Sequence, residues 1–214
     1  YDQIKASGAQ TPNLDKLAAE GTRINGINTV IPAFGGSQAA ALTGDTPTDN
    51  GYYYRYYDRE NNQLVQNDYE MQSETIFEAL KRQEGFTALA SGWTVGNASI
   101  NGKGVFTSGD EDFVLKEYEL ENEDIQNKGV IEFDTVANDI IAAIESDTIP
   151  SLMSGYSNDI KMVAWENPSV NTNMQPFQEK LEQIDAKLGE LLAAVEKAGI
   201  KDSTTILITA LADS

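Results

Sequence analysis

The sequence predicts an α/β fold in which a mostly parallel sheet is flanked by helices. Three observations predict it. Segments of helical periodicity alternate with short apolar runs. The runs at 86–91, 160–165 and 204–210 are short, largely apolar and almost uncharged, the pattern of strands buried on both faces. The 214 residues, 40% of them hydrophobic, suffice for one core. With no internal repeat and no long linker, residues 1–214 read as a single domain.

Each element has its own signal. Thr11-Pro12 opens a helix with Leu14, Leu17 and Ala18 on one face, ended by Gly21. Residues 22–31 are strand-like and stop at Pro32. A small-residue helix is expected over 38–42, with Ser37 as its cap and Gly44 at its close. Residues 45–51 read as a turn-rich loop. The aromatic run of Tyr52, Tyr53, Tyr54, Tyr56 and Tyr57 suits a strand or packed loop, or else a stacking surface for sugars. Residues 73–83 predict a helix with Ile76, Phe77 and Leu80 inward, followed by the strand 86–91. Residues 97–112 read as a glycine-rich loop and 118–124 as a solvated acidic run without calcium-loop spacing. Asp134 is expected to cap a helix carrying Val136, Ile140, Ile141 and Ile144. Residues 160–165 read as a strand. Residues 176–198 read as a long helix with Leu181, Ile184, Leu188, Leu191, Leu192 and Val195 inward; Gly199 ends it and the strand 204–210 follows.

Composition excludes several functions. With 34 acidic against 15 basic residues the net charge is -19, which repels phosphate backbones and anionic membranes, so no nucleic-acid partner is expected. The chain has no cysteine, hence no disulfide, thiolate ligand or cysteine nucleophile. No apolar run approaches ~18 residues, so no membrane span is expected, and no signal sequence is visible. Asn97-Ala98-Ser99 is an acceptor pattern for N-glycosylation at Asn97.

Five stretches carry a family resemblance. They are Thr11 to Gly21; Leu42-Thr43-Gly44 with Thr46-Pro47, Gly51-Tyr52-Tyr53-Tyr54 and Tyr57-Asp58-Arg59; Thr75 to Leu80 with Gly85 to Ala88; Asn101 to Val105; and Ile184 to Gly189 with Gly199 and Ser203 to Ala210. In order and spacing they resemble type I phosphodiesterases/nucleotide pyrophosphatases of the alkaline phosphatase superfamily. The resemblance implies an alkaline-phosphatase-like sandwich. It also implies a first strand ahead of Thr11 that is missing here, and a chain that forms part of a longer precursor.

The resemblance implies a two-metal site of Asp and His ligands with a hydroxyl or thiol nucleophile. On that alignment the nucleophile falls on Phe34, whose ring cannot attack phosphorus. Ser37 is the nearby hydroxyl, one helical turn late. The ligand positions fall on Pro168, Thr172, Leu211 and Ala212. The chain has no histidine, so any metal site would be all-oxygen. Its donors would come from acids such as Asp45, Asp49, Glu166 and Asp213, with Glu166 placed just after a strand.

The sequence therefore points first to a non-catalytic, secreted relative of these enzymes with a structural, assembly or binding role. No cofactor is expected. Self-association, or pairing with a second fragment of the same precursor, would cover open sheet edges. The alternative is a divergent hydrolase of phosphate or sulfate esters, which would require Zn or Mn. A third possibility is a carbohydrate-binding protein using the tyrosine run.

Overall fold

The computed structural model describes residues 1–25, 34–52, 55–66, 71–83, 86–92, 113–117, 130–166 and 174–210. The helices are α1 (Asp2–Ser7), α2 (Pro12–Glu20), α3 (Phe34–Thr43), α4 (Pro47–Asn50), α5 (Ile76–Lys81), α6 (Phe133–Ile144), α7 (Asp159–Glu166) and α8 (Gln175–Lys197). The strands are β1 (Arg55–Asp58), β2 (Gln63–Gln66), β3 (Ala88–Gly92), β4 (Phe113–Glu117) and β5 (Leu152–Gly155). A 3-10 turn, Lys201–Ser203, follows α8.

The sheet has the order β4-β3-β5, all parallel, with Ala88 level with Phe113 and with Leu152. Helices cover both of its faces, which makes an α/β sandwich. Below β3, Ala88 and Ala90 pack on Phe77, with Leu42, Leu80 and Leu152 around them. On the opposite face α6 crosses β3 and β5, and a Cβ at Gly155 would meet Val136 Cγ1 at 2.6 Å. Glycine at that position lets helix and strand approach. Beyond α6, the cluster of Ile144, Ala194 and Val195 joins α6 to α8, with Ile140, Ile141, Met153, Leu191 and Ile200 against it. Helix α8 also packs against α1, α2 and α7. A separate antiparallel hairpin, β1-β2, sets Tyr57 opposite Leu64.

Several expectations are borne out. Helix α2 runs from Pro12 to Glu20, with Thr11 at its N-cap and Gly21 at its C-cap. Helix α8 ends one residue before Ala198, and Gly199 adopts φ +70°. Strand β3 is the central parallel strand.

Others are corrected. Residues 160–165 form α7 rather than a strand. Met162 N donates to Asn158 O at 3.0 Å, the i→i−4 bond of a helix, and so short an apolar run does not reveal a helical period. Strand β5, four residues long, and β4 supply the sheet instead. Helix α3 begins at Phe34, so Ser37 lies inside it and does not cap it. Residues 47–50 form α4 within the expected loop. Helix α5 is shorter than 73–83. It starts behind a capping box in which Thr75 Oγ1 accepts from Glu78 N at 3.2 Å while Glu78 accepts from Thr75 N at 2.7 Å. Asp134 lies in the first turn of α6, whose N-cap is Glu132. Residues 22–25 and 204–210 join no strand ladder among the described residues. The rest of the first stretch, the loop at 97–112 and the acidic run at 118–124 lie outside the described residues.

Candidate functional site

Two places collect the residues that would carry chemistry. One is the start of α3. Phe34 is its first residue, at the positive end of the helix dipole, where developing negative charge is stabilised. The side chain at that point is a phenyl with nothing to donate or attack. Ser37 lies one turn along and is buried with Gly35, Gly36, Gln38 and Ala39. The small residues let α3 press against α4 and α5.

Behind α3 the chain is locked by Asn50, which is fully buried. Its Nδ2 donates to the Asp45 carbonyl at 3.1 Å and its Oδ1 accepts from Tyr52 N at 2.8 Å. Gly51, at φ +73°, turns the chain. Tyr52 is thereby packed on Ala39, with Leu42 and Met71 alongside, and burial pushes its phenol up. Tyr52 is a core residue and not part of an exposed aromatic face. Tyr57 is exposed on β1 and donates to Asn62 Oδ1. Tyr56 lies on the same strand, and Tyr53 and Tyr54 are outside the described residues.

The second place is the carboxyl end of the parallel strands, where open α/β sheets bind ligands. Ser91 Oγ on β3 donates to Asp139 Oδ2 on α6 at 2.7 Å. Tyr156 N donates to Ser91 O at 3.0 Å, and burial pushes the Tyr156 phenol up to about 12. Asp159 is buried and accepts from Phe133 N and Ile160 N, each at 3.0 Å. Burial raises its carboxyl above the usual range, and those two N–H groups oppose the rise. These contacts fasten α6 to the sheet and to α7. The hydroxyl, the carboxylates and the amides are spent on one another.

Among the described residues, the candidate oxygen ligands Asp45, Asp49 and Glu166 join no group of three that could hold a metal. Glu166 is the exposed last residue of α7, so its expected place after a strand is corrected. Asp49 accepts from Thr46 Oγ1 at 2.6 Å on the surface of α4, and Asp45 is half-buried before that helix. Among the described residues no three His, Cys, Asp or Glu side chains group as a metal site would require. Pro168, Thr172, Leu211, Ala212, Asp213 and Asn97 lie outside the described residues.

Residues 1–210 match the sequence profile of the family "Type I phosphodiesterase / nucleotide pyrophosphatase". The chain belongs to this family. Solved structures share its fold. Murine ectonucleotide pyrophosphatase/phosphodiesterase 5, solved as an inactive variant in complex with AMP, aligns with TM-score 0.61 at 16% identity, over 90% of this chain and 49% of that one. Phosphonoacetate hydrolase from Sinorhizobium meliloti 1021, solved with phosphonoformate, aligns with TM-score 0.62 at 15% identity, over 92% of this chain and 50% of that one. This member of the family thus spans about half the length of those two structures. No curated protein matches it by sequence.

Sequence reasoning missed the two buried aspartates that hold this fold together, Asp159 and Asp185. For Asp185 a signal was present. It falls four residues after Leu181 and three before Leu188, on the apolar face of α8, where an unpaired carboxylate would be costly.

Proposed function

We propose that this chain is a non-catalytic relative of the type I phosphodiesterases, secreted, and kept for a structural, assembly or binding role. One observation carries the proposal: a chain of this family has no histidine and no cysteine. Phe34 stands at the nucleophile position implied by the resemblance, and Pro168, Thr172, Leu211 and Ala212 at the ligand positions. Three of those four side chains have no donor atom, so the set does not fit a pair of divalent cations. The substitutes are no better placed. Ser37 is buried within α3, and Glu166 ends a helix on the surface. Secretion would make Asn97 a glycan site, and the charge of -19 suits a well-solvated surface.

The alternative is a divergent hydrolase of phosphate or sulfate esters, favoured by family membership. The AMP and phosphonoformate complexes of its structural relatives suggest phosphate and phosphonate substrates for it. Hydrolysis of bis(p-nitrophenyl) phosphate and of p-nitrophenyl sulfate, with Zn or Mn added, separates the two. A rate indistinguishable from the protein-free blank supports the first. Turnover that survives Ser37→Ala would point to a metal-activated water, and turnover that Ser37→Ala abolishes would point to a displaced nucleophile. Either supports the second.

A further inference from the structure

Asn50-Gly51 is a dipeptide with chemistry of its own. Where glycine follows asparagine, its backbone nitrogen can attack the asparagine Cγ, because no Cβ hinders the approach. The N–Cγ bond forms, the Cγ–Nδ2 bond breaks, and the amide nitrogen leaves as ammonia, taking the attacking nitrogen's proton. Water then opens the succinimide to an aspartyl or an isoaspartyl residue. In the folded chain both reacting groups are committed elsewhere. Asn50 ends α4 and is fully buried. Its Oδ1 accepts from Tyr52 N at 2.8 Å, and its Nδ2 donates to the Asp45 carbonyl at 3.1 Å and lies 3.4 Å from Thr43 Oγ1. The nucleophile is tied down as well, since Gly51 N donates to Pro47 O at 3.0 Å.

The surroundings of Asn50 accept an amide and reject what it would become. Thr43 Oγ1 gives its single hydrogen to Ala39 O at 2.8 Å and accepts from Asp45 N at 3.2 Å, so it turns a lone pair toward position 50. The Asp45 carbonyl turns another. Two acceptors there call for a donor, which the amide nitrogen supplies and a carboxylate does not. Deamidation would therefore bury a charge against two acceptors, next to Asp45 and Asp49, in a chain of charge -19. An isoaspartyl residue would also add a methylene to the backbone. It would do so where Gly51 holds φ +73° and Gln72 N donates to Asn50 O at 2.8 Å. We propose that Asn50-Gly51 is a latent modification site. Folding closes it to deamidation. Once converted in an opened chain, it is a one-way mark that prevents α3, α4 and Tyr52 from packing together again. This goes beyond the function proposed above and does not rest on it, so metal and hydrolysis measurements bear on it in neither direction.

Deamidation mapping of the full chain tests it, by digestion and tandem mass spectrometry after incubation in mildly alkaline buffer with and without urea. In urea Asn50 should convert about as fast as Asn25 and Asn101, the other asparagines followed by glycine. In buffer alone Asn50 should convert at least ~100-fold more slowly than in urea, since only the opened fraction reacts. After dilution out of urea, molecules converted at Asn50 should be missing from the refolded, soluble pool. Thr43→Val removes the hydroxyl behind the Asn50 amide. It should raise the rate in buffer ~10-fold and leave the rate in urea unchanged. Asn50→Asp, which copies one product, should lack the near-ultraviolet circular dichroism of the parent. Conversion of Asn50 in buffer at its urea rate would overturn the proposal. So would recovery of converted molecules in the refolded pool in proportion to their amount, parent-like packing of Asn50→Asp, or a rate in buffer indifferent to Thr43→Val.

Discussion

Asp185 accepts the backbone N–H of Leu14 at 2.8 Å across 171 residues of sequence, so the C-terminal helix caps a helix near the other end of the chain. Asn13 adds its own N–H at 3.1 Å and its Nδ2 at 3.0 Å to the other oxygen. Thr11 occupies the N-cap position of α2 but makes no side-chain cap bond. Asp185 satisfies the donors that Thr11 leaves, and it does so while 3% exposed. Asp185→Ala is expected to cost about 2–3 kcal/mol in urea unfolding, the loss of a cap made by charged hydrogen bonds. Thr11→Ala should cost under ~1 kcal/mol, because its hydroxyl is not the cap.

Gly92 ends β3 at φ +98°, and a Cβ there would run into the Tyr156 carbonyl oxygen. Backbone meets backbone, so no side chain can yield. Gly92→Ala should cost at least about 3 kcal/mol, combining a left-handed alanine with a clash. Gly44 has φ +75° but open space around it, and Gly44→Ala should cost only ~1 kcal/mol. Thermal midpoints of the two variants measure the difference.

Phe77 and Ile76 are neighbours on α5 with opposite fates. Phe77 is 2% exposed beneath Ala88 and Ala90, whereas Ile76 is 51% exposed. Phe77→Ala is expected to cost about 3–5 kcal/mol by opening a cavity under β3. Ile76→Ala should fall within ~0.5 kcal/mol of the parent. Denaturant midpoints of the two variants check both values.

Burial raises Tyr156 from 10.0 to about 12. The unfolded chain therefore loses this proton first. The contribution of Tyr156 to stability is constant below pH 10.0 and declines as pH rises from there to about 12. Asp15 acts at the other end. Hydrogen bonds from Lys5 and then Tyr1 hold its carboxyl below the ordinary 3.8, so its contribution is present above that value and is lost as pH falls below it. An alkaline titration followed by tyrosinate absorbance should show a late step that Tyr156→Phe removes.

Much of the fold was legible because long periodic segments have few alternatives. Helix α8 carries six apolar positions on one face, and α2 opens on Thr11-Pro12 and closes on Gly21. The failures were short. Ile160 to Trp165 is apolar for five of its six residues, and periodicity over such a run does not distinguish strand from helix. Strand β5 is four residues long and ends in Ser154-Gly155, so it shows no strand signal of its own; its place beside β3 makes it one. Asp134 looked like the cap of α6, but Asp159 supplies that bond from α7, a tertiary contact with no local signature. Of the site, only candidate positions were legible. The sequence placed Phe34 and Ser37 one turn apart, and the structure puts both on α3. It could not show that Ser37 is buried or that Glu166 ends a helix.

The central claim is that a phosphodiesterase scaffold persists here without its metal chemistry. Elemental mass spectrometry of the native protein after exhaustive dialysis tests it most directly. The account predicts no divalent metal above trace. Near-stoichiometric Zn or Mn would contradict it, and would mean that oxygen ligands alone rebuild a centre on a chain without histidine.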